Sequence, residues 1–186
     1  MLMKERFLIA YILNGESEKR VNKLRLEIAE KFNVTAALRL PPHMTLFYPF
    51  ESDGISPLIE KLKKITAKEK PFTIPIDGFM NFDDRVWFLN PKEDERLFGI
   101  KDQIVAAMKE TTGIEENNEG RKTHFHITLA YKDLTSDVHR AIGEFLKEKE
   151  LPIRDITIDN ISILSWDGVK NIWTAEHIFS FTNSLS

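Results

Sequence analysis

Apolar positions along the chain follow two periods, one near two residues and one near three and a half, and these predict alternating strands and helices. Residues 7–13 form an unbroken apolar run that stops at Asn14-Gly15. Its length predicts a strand covered on both faces. Val21, Leu24, Ile28 and Phe32 then recur at helical spacing, which predicts an amphipathic helix over 16–32 with Ser17 as its cap. Pro41 and Pro42 end the segment that follows, because neither can donate to a sheet ladder. Residues 43–50 read as a strand, and Ser56-Pro57 opens a second helix carried by Leu58, Ile59, Leu62 and Ile65. Strands over 72–76 and 86–89 flank a turn-rich stretch. Asn90-Pro91 with Glu93 reads as the start of a third helix, whose stripe is Leu97, Phe98, Ile104, Val105 and Met108 and which closes at Thr112-Gly113. The pattern then predicts a strand over 123–132, a helix capped near Thr135, and strands over 156–165 and 172–181 around an Asp167-Gly168 turn.

Within this order one short pattern occurs twice. His43-Met44-Thr45-Leu46 is followed by Phe47-Tyr48, and His126-Ile127-Thr128-Leu129 by Ala130-Tyr131. Strand side chains alternate between faces, so strict parity puts His43, Thr45 and Phe47 on one face and Met44, Leu46, Tyr48 and Phe50 on the other. The second copy divides the same way, with His124, His126, Thr128, Ala130 and Lys132 opposite Phe125, Ile127, Leu129 and Tyr131. Each copy sets an imidazole and a hydroxyl together on the face away from the core. The order of elements around the two copies reads as a duplication. The fold class is therefore α+β: residues 1–186 form a single two-lobed domain with a pseudo-two-fold axis, the lobes interleaved in sequence. Two mostly antiparallel sheets face a central cleft, with helices packed on their outer faces.

Composition narrows the partners. The 186 residues include 26 basic and 29 acidic ones, a formal net charge of −3, too balanced to hold a long duplex along its backbone. A nucleic-acid end or a small nucleotide remains a suitable partner. The chain has no cysteine, which excludes a disulfide framework, a thiolate zinc site and a cysteine nucleophile, and points to the cytoplasm. The charged start resembles no signal peptide, no apolar run approaches membrane-spanning length, and a monomer is expected of a self-contained cleft.

Two imidazoles facing one cleft equip a site for concerted acid and base catalysis near neutral pH. Thr45 and Thr128 stand where their hydroxyls can bind the oxygens of a tetrahedral phosphorus group, so the set suits phosphoester cleavage with no metal and no cofactor. Phe47 is a candidate for stacking on a base. Lys132 and His124 are further candidate substrate contacts, and Arg39, Arg121 and Lys122 also flank the motifs. His124-Phe125-His126 could be read as a metal pair, but no third ligand stands at suggestive spacing.

The paired His-x-Thr-Leu tetrads resemble the signature motifs of the two-histidine phosphoesterase superfamily, whose bacterial members are known as 2′,5′ RNA ligases or RNA cyclic phosphodiesterases. The resemblance implies metal-independent hydrolysis of a 2′,3′-cyclic phosphate on an RNA end or small nucleotide. It implies His43 and His126 as acid and base, with the second-motif histidine as base in hydrolysis, and Thr45 and Thr128 as phosphate ligands. Two alternatives stand beside it: a 2′,5′-phosphodiester ligase or esterase, and a nucleotide-binding module without turnover. Relatives often carry a basic residue just after the second motif, where this chain has Ala130-Tyr131-Lys132.

Overall fold

A computed structural model describes residues 4–116 and 123–182. Its elements are β1 (Glu5–Ile12), α1 (Gly15–Phe32), a 3-10 turn (Ala36–Arg39), β2 (His43–Ser52), α2 (Ser56–Thr66), β3 (Phe72–Phe82), β4 (Val86–Pro91), α3 (Glu95–Thr112), β5 (Ile127–Tyr131), α4 (Ser136–Lys147), β6 (Asp155–Ile158), β7 (Asn160–Asp167) and β8 (Ile172–Ser180). Arg121 and Lys122 lie outside the described residues.

The α+β reading holds, and every strand pair is antiparallel. Strand order is β6-β3-β4-β5-β2-β1-β7-β8. The duplication thus appears as two four-stranded halves, each ending on a motif strand. They do not stand apart as two sheets but join along β2 and β5, where Met44 pairs with Ile127. Both side chains are fully buried. Pairing the motif strands satisfies backbone groups that each half would otherwise leave on an open edge.

Only Asp159 lies between β6 and β7, although the ladder places them near opposite ends. A single residue spans under about 4 Å, so the sheet bends round until these strands meet. The junction is stitched: Tyr11 donates its hydroxyl to the Thr157 carbonyl at 2.9 Å, and the Asn160 side chain bonds both the amide (3.2 Å) and the carbonyl (2.9 Å) of Ile12. The single strand expected over 156–165 is therefore two strands in opposite halves. Its isoleucines carry the mark, since they move from even positions (Ile156, Ile158) to odd ones (Ile161, Ile163) across the break.

β1 is covered on both faces, as its apolar run predicts. Phe7, Ile9, Tyr11 and Leu13 enter the main core, while Leu8, Ala10 and Ile12 join a smaller cluster with Leu164 and Trp173. α1 packs on β5 and α3 on β2, so each motif strand rests on the helix preceding the other one. Several boundaries differ from the sequence pattern. Asn14, not Ser17, occupies the N-cap of α1, and Ile55 that of α2. Asn90 and Pro91 finish β4, and α3 is capped by Asp94, which accepts the Arg96 amide at 2.9 Å. β3 continues to Phe82 through an irregularity at Gly78, whose φ of 106° suits glycine. Among the described residues no helix is long and apolar enough to cross a membrane.

Candidate active site

The expected alternation holds through each His-x-Thr and then fails in both copies at the same leucine. Ile9 pairs with Phe47 and Ala10 with Thr45, which leaves Leu46 as an extra residue. Trp87 pairs with Ala130 and Phe88 with Thr128, which leaves Leu129 extra. A bulge of this kind adds one residue and reverses the parity beyond it. Leu46 and Phe47 both turn into the core, as do Leu129 and Ala130. Phe47 is 3 % exposed and packs edge-on to Phe50, so it is no stacking platform for a base. Tyr48 points out to solvent at 58 % exposure, and Tyr131 lines the cleft; strict alternation had sent both to the core. α3 braces the first bulge from behind: buried Lys101 donates to the Leu46 carbonyl at 3.3 Å and pairs with Glu116.

Continued one residue either way, the Met44/Ile127 register sets His43 beside Thr128 and Thr45 beside His126. All four side chains line one cavity of about 410 Å³. Each imidazole is oriented by the same local device. His43 Nδ1 lies 2.9 Å from the Pro41 carbonyl, and His126 Nδ1 lies 2.9 Å from the His124 carbonyl. A carbonyl only accepts, so Nδ1 carries the proton in both rings and Nε2 is left to serve as base or, once protonated, as acid.

Burial pushes the His43 imidazole down to about 4, helped by the nearby Arg25 and His126 charges and opposed by the Pro41 hydrogen bond. His126 is lowered as well, again chiefly by burial. In the unfolded chain an imidazole takes up its proton near 6.5, whereas folded His43 does so only near 4, so between these pH values protons favour unfolding. The stabilisation is complete above about 6.5 and is lost as pH falls towards 4, on the order of 2–3 kcal/mol. His43→Gln should flatten this part of the curve. Urea-unfolding midpoints of both proteins at pH 7, 5.5 and 4 check it, and parallel curves would refute it.

The cavity also gathers four cations, two of which, Arg6 and Arg25, sequence reasoning passed over. Arg6, Arg25, Arg39 and Lys132 line it, and among the described residues no carboxylate does, although the chain as a whole is acidic. Trp166 and Trp173 form an aromatic wall, ring centres 5.5 Å apart, with the Arg6 guanidinium 5.6 Å over Trp173. The sequence signal for Arg25 is a lone arginine in the otherwise aliphatic stripe of α1, between Leu24 and Ile28. Lys132 is in the lining, but His124 is not; its ring bonds Asn90 Oδ1 at 3.0 Å and packs on Phe82 and Phe88. Its contribution to the site is its backbone carbonyl. Among the described residues no three potential metal ligands stand together.

The family model for the 2′-5′ RNA ligase superfamily matches residues 14–170. A candidate phosphoesterase of Bacillus licheniformis is 25 % identical over 165 residues, covering 87 % of this chain and 92 % of its own. Another from Geobacillus kaustophilus is 24 % identical over 169 residues, covering 87 % and 90 %. Among solved structures, Escherichia coli LigT complexed with 3′-AMP superposes with a TM-score of 0.65 at 16 % identity, over 97 % of this chain and 100 % of that one. TT0787 of Thermus thermophilus superposes at 0.61 with 17 % identity, over 96 % and 99 %. LigT has also been crystallised with phosphate, ATP and NADP+.

Proposed function

The chain belongs to the 2′-5′ RNA ligase superfamily of two-histidine phosphoesterases, and from that premise we propose that it hydrolyses a 2′,3′-cyclic phosphate on an RNA end or small nucleotide, without a metal. The observation that carries this reading is the matched pair of imidazoles. Each is held through Nδ1 by the carbonyl two residues before it, and both line one cavity whose described lining has four cations and no carboxylate.

Thr45 and Thr128 bind the non-bridging oxygens and keep the phosphorus in line with the attacking water. One imidazole takes a proton from that water as its oxygen bonds to phosphorus. The bond from phosphorus to one ribose oxygen breaks, and the other imidazole, entering as imidazolium, gives that oxygen its proton. One water is consumed, a phosphomonoester leaves, and proton exchange with solvent resets the pair. Burial keeps the empty-site imidazoles neutral, and the bound phosphate supplies the negative charge that lets one of them protonate. The nucleotides bound by LigT support a small nucleotide as occupant. Both motif pairs come from one chain, which supports a monomer, and the absence of cysteine suits the cytoplasm.

The test is incubation with 2′,3′-cyclic nucleotides and with 2′,5′-linked oligonucleotides in excess EDTA. Chelator-resistant opening of the cyclic phosphate is the expected result. Turnover of the 2′,5′ linkage alone would favour the ligase or esterase reading, binding without turnover would favour a module, and activity abolished by EDTA would overturn the metal-free chemistry.

A further inference from the structure

β5 ends in an unusual turn. The Asp133 amide donates to the Tyr131 carbonyl at 2.9 Å across Lys132, whose φ is 69°. A γ-turn with positive φ at a residue other than glycine is rare and strained, and persists only where its surroundings hold it. Here Asp133 does so: its Oδ2 accepts the amides of Thr35 (2.7 Å) and Ala36 (2.9 Å), where the 3-10 turn bearing Arg39 begins. The far side of that segment is held from α1. Arg25 Nη2 donates to the Ala37 carbonyl and, at 2.9 Å, to that of Leu40. The strap over 35–42 is thereby fastened with Arg39 in the cleft lining beside Tyr131 and Lys132: Lys132 Nζ lies 5.3 Å from the Tyr131 ring centre, and the Arg39 charge acts on the Tyr131 hydroxyl.

Charge collects there. Burial raises the Tyr131 hydroxyl, while Arg39, Arg25 and Arg6 all act on it in the other direction and only Asp133 adds to the rise. Three guanidiniums thus act on one phenol, and among the described residues the carboxylate that opposes them, Asp133, spends its Oδ2 on two backbone amides. Among the described residues, none of Arg6, Arg25, Arg39 and Lys132 forms an ion pair. Arg25 is 2 % exposed and its Nε has no partner. A buried cation without a counter-ion is costly, and an anion in the cleft would offset that cost. The reacting phosphate already has its ligands at the seam between β2 and β5. Tyr131 lies three residues past Thr128, roughly 7–10 Å along the strand.

We propose that Arg39, Tyr131 and Lys132, with Arg25 buried behind them, form a second anion subsite that takes a further phosphate of the substrate. The inference rests on the phosphoesterase reading for the identity of the first phosphate. The second comes either from a terminal 5′-phosphate or from the next phosphodiester of an RNA end, and both have the same chemistry.

Binding calorimetry tests this without requiring turnover. The probes are a nucleoside 2′-monophosphate, the matching 2′,5′-bisphosphate, and a dinucleotide with a 5′-hydroxyl and a terminal 2′-phosphate. At least one of the two probes with a second phosphate should bind about tenfold tighter than the monophosphate, the size of a charge-assisted contact. Whichever gains more identifies the source. In the double variant Arg39→Gln, Lys132→Gln, both positions being exposed, this ratio should fall to about one. Equal affinities in the native protein, or a preference that survives the double variant, would overturn the subsite. Preference for the second phosphate in a protein that opens no cyclic phosphate would keep the subsite and sink the phosphoesterase reading instead.

Discussion

Replacing either His43 or His126 by alanine should lower turnover of a 2′,3′-cyclic nucleotide by about 10²–10⁴-fold, the usual contribution of a positioned acid or base. Both losses should fall mainly on kcat, because the threonines and cationic walls proposed to hold the phosphate remain in place. The two replacements should not add. Once one imidazole is gone, the concerted proton transfer has no partner, so the double variant should be little slower than the worse single one. Steady-state kinetics in EDTA on the three variants provides the measurement. A single variant that keeps a tenth or more of native kcat would remove that histidine from the chemistry, and fully additive losses would show two independent roles.

Phe88→Ala should cost about 3–5 kcal/mol in stability, the range for deleting a fully buried phenyl ring. Its ring centre lies 4.4 Å from that of Phe82, 5.5 Å from His124 and 5.2 Å from His126, so it forms the wall behind the second histidine. Truncation opens a cavity among rings held at the end of β3 and in the segment entering β5, and the site cannot fully collapse to fill it. For a chain of this size the loss corresponds to a fall in Tm of roughly 6–20 °C. Phe88→Leu retains most of the volume and should cost under about 1.5 kcal/mol. The hydrogen bond from His126 Nδ1 to the His124 carbonyl does not depend on Phe88, so turnover well below the transition should fall far less than in His126→Ala. A Tm within about 2 °C of native would show that the rings repack and refute the cavity argument.

The bulges show how far alternation can be read. Counting from His43 places Phe47 with the histidines and Tyr48 with the core, and the structure reverses both. A strand's own sequence states its period, but an extra residue is defined only against its partner strand, here β1 for Leu46 and β4 for Leu129. Tyr131 reaches the cleft for the same reason. Arg25 escaped notice because a charged residue within a helix stripe reads locally as an interruption, and only the strap over 35–42 supplies the carbonyls that let it stay buried.

Taken by itself, the amino-acid order determined what depends on near neighbours. That covers the strand and helix periods, the proline entry to the first motif, the caps at Thr135 and Gly113, and two His-x-Thr tetrads whose alternation puts each imidazole beside a hydroxyl. Tertiary structure alone decided which strands became neighbours, where parity reversed, and which cations were drawn into the cleft. These depend on pairing and burial between segments far apart in the chain, whose free energies no local run of residues expresses.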